Sequence, residues 1–345
     1  MEPVQKTHNL SIDVLRIVSI LAVILIHTTT RTLEITHSNL IETQFTFFLN
    51  QISRFAVPLF FMISGFVLEL NYPFHSNPIV YLRRRITRIF IPYLFWSAFY
   101  IIFIYPQPLT NYFSVLPDGS ASYQLYFLPT LMVFYLLFPI INHFYYLWSN
   151  KFIILILGII QICFLSADYY FHSIHIFYPL AIALFNFFPF LLGMVASHHQ
   201  QSLYTFFNRH KYHFVIVTFI LGIFVFWEGG SRYLQTNNYL SFYSQWRPSI
   251  LIFTICLASL LYYLFNRATI PEEPIKLLSR LSFFVFFIHI AILEVSWKNI
   301  FIHLFPVSLF NLVWFDQIFF IFVTTISFLI AYICYKVPKL FQITG

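Results

Sequence analysis

The chain has 345 residues, of which 59% are hydrophobic and only 9% are charged, and its formal net charge is +7. Soluble domains carry about 25% charged residues, so this composition excludes a soluble globular fold and indicates an integral membrane protein. The basic residues fall mainly between apolar runs, which favours a membrane-topology signal over a nucleic-acid surface. The three cysteines, Cys163, Cys256 and Cys334, lie within apolar runs without metal-ligand spacing, so we predict no metal site.

Apolar stretches separated by polar breaks predict an all-α polytopic bundle of about ten transmembrane helices. The predicted helices cover residues 10–30, 53–70, 88–105, 124–142, 152–167, 177–196, 212–228, 249–265, 282–301 and 313–335. No connection between them exceeds about twenty residues, which leaves no room for an inserted soluble domain. We therefore predict that residues 1–345 form a single membrane domain with no additional soluble domain.

The distribution of lysine and arginine predicts the orientation of this bundle. Thirteen of these residues, from Lys6 to Lys339, fall in segments on the side of the N-terminus, and five fall on the opposite side. Cytoplasmic loops carry an excess of Lys and Arg, so both termini are predicted to be cytoplasmic.

The first predicted helix carries two ionisable residues, Arg16 and His27, inside an apolar run from about Leu10 to Thr30. Eleven residues correspond to about 1100° of helical rotation and about 16.5 Å of rise, so both side chains share one face at different depths. Such groups are costly in hydrocarbon and are expected to face a bundle interior or a wet cavity. The alternative is that Arg16 snorkels to the inner interface and His27 caps the outer one.

Four arginines in six positions lie at the entry to the third predicted helix. This number is larger than a topology signal requires. The arginines are Arg83, Arg84, Arg85 and Arg88. In a helix Arg85 and Arg88 are i, i+3 neighbours, and guanidinium groups match phosphate oxygens in bidentate fashion. This spacing suits a nucleotide or coenzyme A carrier, but an anchor for anionic lipid head groups is an equal alternative.

Two further segments place polar groups in apolar surroundings. Arg54 begins the second predicted helix near the depth of His27, where it either meets lipid phosphates or orients a developing negative charge. That helix continues to Ser64 and Gly65, small residues that first indicate close helix packing. His289 lies near the middle of the ninth predicted helix, where it either lines the cavity of His27 or is a hydrogen-bonded packing histidine.

These segments resemble, in chain order, the motifs of the integral-membrane acyltransferase-three family, which comprises largely bacterial O-acyltransferases. Arg16 and His27, with Asp13 before them, match its first-helix pattern of an arginine and a histidine separated by ten residues. The other matching segments are Arg54–Phe66 with its Ser-Gly-Phe end, the Arg-x-x-Arg motif at Arg85 and Arg88, Tyr126–Tyr135 with Tyr126 where a tryptophan is common, and Ser282–His289. The likeness runs nearly from end to end.

The resemblance implies an enzyme that takes an acyl group, usually acetyl, from a cytoplasmic acyl-CoA and passes it to a hydroxyl of an envelope or secreted carbohydrate. Acetyl-CoA, or another acyl-CoA, would be a donor substrate, and no permanently bound cofactor is expected. Some relatives carry an extracytoplasmic hydrolase-like domain that finishes the transfer. Here the carbohydrate acceptor is expected to reach the membrane site directly or through a separate extracytoplasmic partner, in the bilayer of a bacterial plasma membrane.

The resemblance also distributes roles among the residues above. Arg85 and Arg88, helped by Arg83 and Arg84, would hold the CoA phosphates, and Arg16 would position the thioester. His27 would act either as general base on the acceptor hydroxyl or as a covalent acyl relay, and the sequence does not choose between them. Arg54 would stabilise the oxyanion, with His289 and Tyr126 as further candidates for oxyanion or acceptor positioning.

Two other classes of protein fit the same hydropathy pattern. A transporter or flippase for an envelope glycan or its precursor would also line a cavity with polar residues, although we find no internal repeat of the kind many transporters show. A membrane scaffold without chemistry predicts that Arg16 and His27 contact no cavity at all.

Overall fold

The computed structural model describes residues 9–36, 43–72, 78–171, 178–236, 244–306, 309–310, 313–337 and 341, and within these residues every regular element is a helix. Numbered in chain order, the helices are α1 (Leu10–Thr36), α2 (Gln44–Ile52), α3 (Ala56–Asn71), α4 (Pro78–Phe99), α5 (Tyr112–Val115), α6 (Phe127–His143), α7 (Tyr145–Trp148), α8 (Lys151–Phe171), α9 (Tyr178–Phe185), α10 (Phe187–His198), α11 (Gln200–Thr236), α12 (Pro248–Arg267), α13 (Glu272–Ser296), α14 (Ile302–Leu304) and α15 (Val313–Tyr335).

The prediction of a polytopic helical bundle is confirmed. In the described part of the chain, eight helical segments are long and apolar enough to cross a membrane. α9 and α10 add one span that is bent by 51°, and α6 is a shorter apolar helix. These ten elements correspond in order to the ten predicted helices. Residue 177, the predicted start of the sixth, and Lys6 and Lys339 in the charge count lie outside the described residues.

Several helices extend well beyond their predicted ends because hydropathy reports only the part of a helix that matches hydrocarbon. α4 begins ten residues before the predicted start, and its added turns carry the exposed arginines Arg83 and Arg84. α13 begins at Glu272, and its first turns carry the exposed pair Glu272–Lys276. The second predicted helix begins too late in the chain, because α2 precedes it and continues into α3 through one 3₁₀ turn at Ser53–Phe55. The polar residues that interrupted the apolar pattern there, Asn50, Gln51 and Arg54, are buried inside the bundle.

The bend between α9 and α10 leaves backbone groups that hydrocarbon could not satisfy, and a side chain from α8 satisfies them. Gln161 donates its Nε2 hydrogen to the carbonyl oxygen of Phe185 at 3.2 Å, and its Oε1 accepts the N–H of Phe188 at 3.3 Å. Irregular backbone at membrane depth is tolerated only where protein groups take over its hydrogen bonds. Gln161, itself buried, performs this function.

α1 lies at the centre of the bundle, where it contacts α2, α3, α12, α13 and α15. α3 and α10 cross so closely that each presents a glycine to the backbone of the other. A Cβ atom added to Gly65 would lie 2.0 Å from the carbonyl oxygen of Phe190, and one added to Gly193 would lie 1.9 Å from that of Met62. The close-packing role predicted for Gly65 is thus confirmed, and the crossing fixes α3, which lines the site described below.

We predict that Gly65→Ala and Gly193→Ala both destabilise the protein, by roughly 1–3 kcal/mol or more, because the added methyl group meets backbone atoms that cannot rotate away. Gly222→Ala is the matched control, since its Cβ would lie 3.6 Å from the Phe253 ring in ordinary van der Waals contact. Thermal unfolding of the purified variants in detergent measures the difference. Equal melting temperatures for the three variants would show that the crossing is loose.

Candidate functional site

Two polar cavities enter the bundle. The first, the Arg85 cavity, has a volume of about 600 Å³ and is lined by Arg16, Arg85, Arg88 and Arg280 among others. The second, the His27 cavity, has a volume of about 540 Å³ and is lined by His27, Arg31, Arg54 and Tyr123 among others. The ionisable residues of α1 therefore face cavities, as the sequence predicted for a functional helix and contrary to the scaffold alternative.

The two cavities lie at opposite ends of the bundle and meet at three phenylalanine rings. Phe60, Phe127 and Phe286 line both cavities. On α3, residues that follow Phe60 in the chain line the Arg85 cavity, and Val57, which precedes Phe60, lines the His27 cavity. On α13 the order is reversed, with Ser282 on one side of Phe286 and Glu294 on the other, as expected for antiparallel helices. We call these three rings the partition.

The Arg85 cavity is strongly basic. Four arginines from three helices line it, and its lining within the described residues contains no carboxylate side chain. Arg16 and Arg85 are partly buried, while Arg88 and Arg280 are exposed at the opening. Four guanidinium groups around one cleft create a positive potential that attracts anions. This cavity is therefore suited to a ligand with several negative charges.

Arg16 is held at the wall of this cavity by neighbours on two helices. Its Nη1 donates to Asp13 Oδ1 at 3.1 Å, one turn earlier on α1. The same oxygen accepts the hydroxyl of Ser279 on α13 at 2.7 Å. Asp13 is buried, while about a third of the Arg16 side chain is exposed. The pair thus fixes the stem of the guanidinium and leaves part of it open to a ligand.

Arg85 is oriented by aromatic rings. Its guanidinium carbon lies 4.9 Å from the centre of the Tyr72 ring and 5.7 Å from that of Tyr135. Such cation–π contacts hold a guanidinium group while leaving its N–H edge free to bind an anion. Arg83 and Arg84 lie on the same helix but are exposed and do not line the cavity. Of the four-arginine cluster, only Arg85 and Arg88 reach the cavity that also contains Arg16.

His27 lies in the second cavity between two other rings. Its imidazole centre is 4.9 Å from that of Tyr123 and 5.4 Å from that of His289. Within the described residues no protein group hydrogen-bonds the His27 ring, so its nitrogens are available to a ligand. His289 is fully buried behind it, and its Nδ1 donates to the carbonyl oxygen of Val285 at 3.1 Å. A neutral His289 with that tautomer carries its lone pair on Nε2, where it can accept a proton or a hydrogen bond.

Arg54 is connected to the helical turn that carries His27 through Asn50. The Arg54 Nη2 donates to Asn50 Oδ1 at 2.6 Å. Asn50 in turn donates to the carbonyl oxygen of Ile26 at 3.2 Å and to the hydroxyl of Thr30 at 2.9 Å, on either side of His27. This amide therefore sets the position of the guanidinium relative to the imidazole. Since Arg54 lines the cavity, a negative charge that develops beside His27 lies near a cation.

The charged side chains that line the His27 cavity are balanced, with two arginines and two glutamates among apolar and aromatic residues. Arg31 forms ion pairs with Glu34 at 3.3 Å and with Glu294. Tyr126 lines the cavity, and its hydroxyl accepts a hydrogen bond from Gln245 at 2.8 Å. Burial raises the pKa of the Tyr123 phenol well above its usual value, so this group is a hydrogen-bond donor at neutral pH. Aromatic rings, amides and carboxylates together suit a hydroxyl-rich ligand better than a polyanion.

Sequence reasoning missed several of these residues. Tyr123 and Gln124 lie beside and at the predicted start of the fourth helix, but α6 begins at Phe127, so both belong to the connection between α4 and α6. This connection packs against α4, because Tyr93 Oη donates to Leu116 O and Tyr112 Oη donates to Leu94 O. Ser279 and Arg280 could have been found, because Ser279, Ser282 and His289 recur on one face of α13 at helical spacing. Asn50, four residues before Arg54, was a second detectable signal.

Two buried carboxylates have polar partners. Glu69 pairs with His198 Nε2 at 2.7 Å. Glu228 accepts hydrogen bonds from Ser249 and from Tyr170. Both carboxylates bind polar side chains of neighbouring helices, because an unpaired carboxylate in hydrocarbon is costly. Among the described residues, no group of three or more His, Cys, Asp or Glu side chains could hold a metal ion.

Glu228 belongs to a buried network that leads to Arg54. Arg247 is fully buried, lies 3.4 Å from Glu228 Oε2, and donates to Gln51 Oε1 at 2.6 Å. Gln51 donates to Asn50 Oδ1 at 3.3 Å, the oxygen that also accepts from Arg54. The network joins α2 to α11 and α12 beneath the His27 cavity.

We predict that Arg247→Met destabilises the protein by about 3–5 kcal/mol, because it leaves the buried Glu228 without its cation. Lys276→Met is the control, since its pairs with Glu272 and Glu273 lie on the surface and should contribute little. Unfolding curves of both variants in the same detergent provide the measurement. A loss for Arg247→Met no larger than for Lys276→Met would mean that the buried pair is replaceable.

Comparison with known proteins agrees with this architecture. A family model described as an acyltransferase domain matches residues 9–336. The chain is 27% identical over 281 residues to a protein of Staphylococcus aureus named as a probable poly-beta-1,6-N-acetyl-D-glucosamine export protein, covering 74% of each chain. A protein of Staphylococcus epidermidis with the same name is 27% identical over 272 residues, covering 74% of this chain and 73% of its own. No solved structure matches.

Proposed function

This chain belongs to the acyltransferase-three family, and we propose that it is an O-acyltransferase of the bacterial plasma membrane. It takes an acyl group, with acetyl the first candidate, from acyl-CoA and transfers it to a hydroxyl of an envelope or exported carbohydrate. The observation that carries this proposal is the pair of cavities, one with four arginines and one with His27, whose linings share Phe60, Phe127 and Phe286.

The donor is assigned to the Arg85 cavity by charge and by shape. Coenzyme A combines a polyanionic nucleotide with a long, slender pantetheine arm. Arg85 and Arg88 bind its phosphates at the mouth, and Arg280 adds a third cation. Arg83 and Arg84, which are exposed on α4, contribute longer-range attraction. Arg16, deeper in the cavity, contacts the arm or the thioester, and the arm then passes the partition towards His27.

The same assignment orients the protein in the membrane. Acyl-CoA is a cytoplasmic metabolite, so the Arg85 cavity opens to the cytoplasm and the His27 cavity to the outside. The excess of Lys and Arg in the segments on the N-terminal side supports this orientation with both termini cytoplasmic. The acceptor then enters from the outside, either directly or delivered by a separate partner.

The transfer requires one proton acceptor and stabilisation of one negative charge. The acceptor hydroxyl oxygen attacks the thioester carbonyl carbon while His27 takes the hydroxyl proton. Arg54 stabilises the oxyanion of the tetrahedral intermediate. The collapse of this intermediate breaks the C–S bond. The CoA thiolate leaves and receives the proton from His27, so the products are an O-acyl ester and free CoA. In the covalent version a His27 nitrogen attacks the thioester carbonyl carbon, the C–S bond breaks, and the CoA thiolate leaves with the imidazole proton. The acceptor hydroxyl then attacks the acyl-imidazole, the N–C bond breaks, and its proton returns to His27. His289 and Tyr126 position His27 and the acceptor.

Export of a glycan is the second candidate function, because two relatives carry that activity in their names. A saccharide chain would have to pass between Phe60, Phe127 and Phe286, where the Phe127 ring centre lies 5.9 Å from that of Phe60 and 5.5 Å from that of Phe286. Export also gives no reason for a cavity lined by four arginines if the glycan is neutral. Both observations favour the acyltransferase.

We predict that the purified protein in nanodiscs binds acetyl-CoA and releases free CoA from it when a carbohydrate acceptor is present. Arg85→Ala should weaken acetyl-CoA binding by roughly 10-fold to 100-fold, since a charge-assisted hydrogen bond contributes about 1.5–3 kcal/mol. Arg84→Ala is the matched control, because it removes the same charge from the same helix outside the cavity. Isothermal titration calorimetry measures both.

We predict that His27→Ala abolishes CoA release while leaving acetyl-CoA binding unchanged, because His27 lies beyond the partition from the phosphates. A radiolabelled acyl group retained on the wild-type protein, and absent from His27→Ala, would assign the covalent version. Full CoA release by His27→Ala would contradict the mechanism. Binding lost equally in Arg84→Ala and Arg85→Ala would contradict the assigned cavity.

A further inference from the structure

The partition has a consequence for which acyl groups the protein transfers. Under the proposed function, on which this inference rests, the acyl end of the donor starts among the arginines and must meet His27 in the other cavity. Phe60, Phe127 and Phe286 are the residues that line both cavities, so the acyl group crosses between them. We propose that these three rings determine substrate specificity by setting the widest acyl group that can be transferred.

Phe127 is the central member of the three. Its ring centre lies 5.9 Å from that of Phe60 and 5.5 Å from that of Phe286. It stands at the first residue of α6, directly after the polar connection that forms one wall of the His27 cavity. Its ring centre also lies 4.8 Å from that of Phe61, which is fully buried and lines neither cavity. Phe127 is therefore packed against a buried ring as well as against the two other members of the partition.

The rings suit this role because they are rigid and apolar. A flat aromatic ring rotates about two side-chain bonds but does not compress, and the close-packed Phe61 limits how far Phe127 can retreat. A slender acetyl group requires little displacement of the rings, whereas a branched or aromatic acyl group requires all three to move apart. Pockets that exclude a group by size discriminate about 10-fold to 200-fold per methylene-sized difference.

The same rings separate the two polar cavities when no donor is bound. Each cavity reaches the partition from its own end of the bundle. Removing the central ring should join them into one polar path through the protein. This consequence does not depend on the identity of the donor, so it provides a measurement of the partition that survives a failure of the proposed function.

The test compares wild type, Phe127→Ala, Phe127→Trp and Phe134→Ala in nanodiscs with the same carbohydrate acceptor and with acetyl-, butyryl-, isovaleryl- and benzoyl-CoA. Phe127→Ala should raise the ratio of benzoyl to acetyl turnover at least 10-fold, and Phe127→Trp should lower the ratio of butyryl to acetyl turnover. Phe134→Ala is the control: Phe134 is fully buried on the same helix, stacks on Phe190 and lines neither cavity. Phe127→Leu replaces Phe127→Ala if the alanine variant does not fold.

Glycerol entry into proteoliposomes, followed by stopped-flow light scattering, gives the second readout. Phe127→Ala should raise it several-fold over wild type and Phe134→Ala should not. An unchanged acyl preference in both Phe127 variants of an active enzyme would overturn the specificity role, whatever the glycerol result. No turnover of any acyl-CoA by the wild type would overturn the proposed function and this inference together. In that case a rise in glycerol entry would still identify Phe127 as the barrier.

Discussion

The cost of placing a charged side chain in hydrocarbon governs the interior of this protein. Among the described residues, Arg16, Arg54 and Arg247 each have a specific partner on another helix or turn. Arg16 is held through Asp13, whose carboxylate accepts the hydroxyl of Ser279 on α13. Arg54 is held through Asn50, and Arg247 through Glu228 and Gln51. These contacts hold α2, α11, α12 and α13 around the central helix α1. They fix the relative positions of Arg16, His27 and Arg54.

The same constraint explains the division into two cavities. A cleft with four arginines and a cleft with balanced charge favour different ligands, and the partition keeps their polar contents apart. Arg16 and His27 face different cavities although they lie on one face of one helix, about 16.5 Å apart along its axis. A reaction that joins a polyanionic donor on one side of a membrane to a hydroxyl acceptor on the other requires this separation. α1 therefore connects two sites and belongs to both.

The sequence was sufficient to predict what hydrophobicity and helical geometry determine. The ten apolar elements, the shared face of Arg16 and His27 and the close-packing role of Gly65 all follow from local pattern. The limits of the helices did not, because the first half of the α2–α3 span contains Asn50, Gln51 and Arg54, whose polarity is satisfied by residues distant in the sequence. Contacts of that kind are tertiary and leave no local signal.

The partition is a second feature that the local sequence does not predict. Phe60, Phe127 and Phe286 are three of 47 phenylalanines, and nothing in their neighbouring residues distinguishes them from those that face lipid. Only the packing of α3, α6 and α13 brings them together. The i, i+3 spacing did separate Arg85 and Arg88 from Arg83 and Arg84, but the contacts of Arg85 with the rings of Tyr72 and Tyr135 were invisible in the sequence.

The most direct test of this account is an experimental structure of the protein with a non-hydrolysable acyl-CoA analogue bound. We expect the nucleotide phosphates of the analogue to contact Arg85 and Arg88. We expect its acyl end to lie beyond Phe127, beside His27 and Arg54. An analogue bound elsewhere, or one whose acyl end remains among the arginines while His27 is out of its reach, would contradict the division of donor and acceptor between the two cavities.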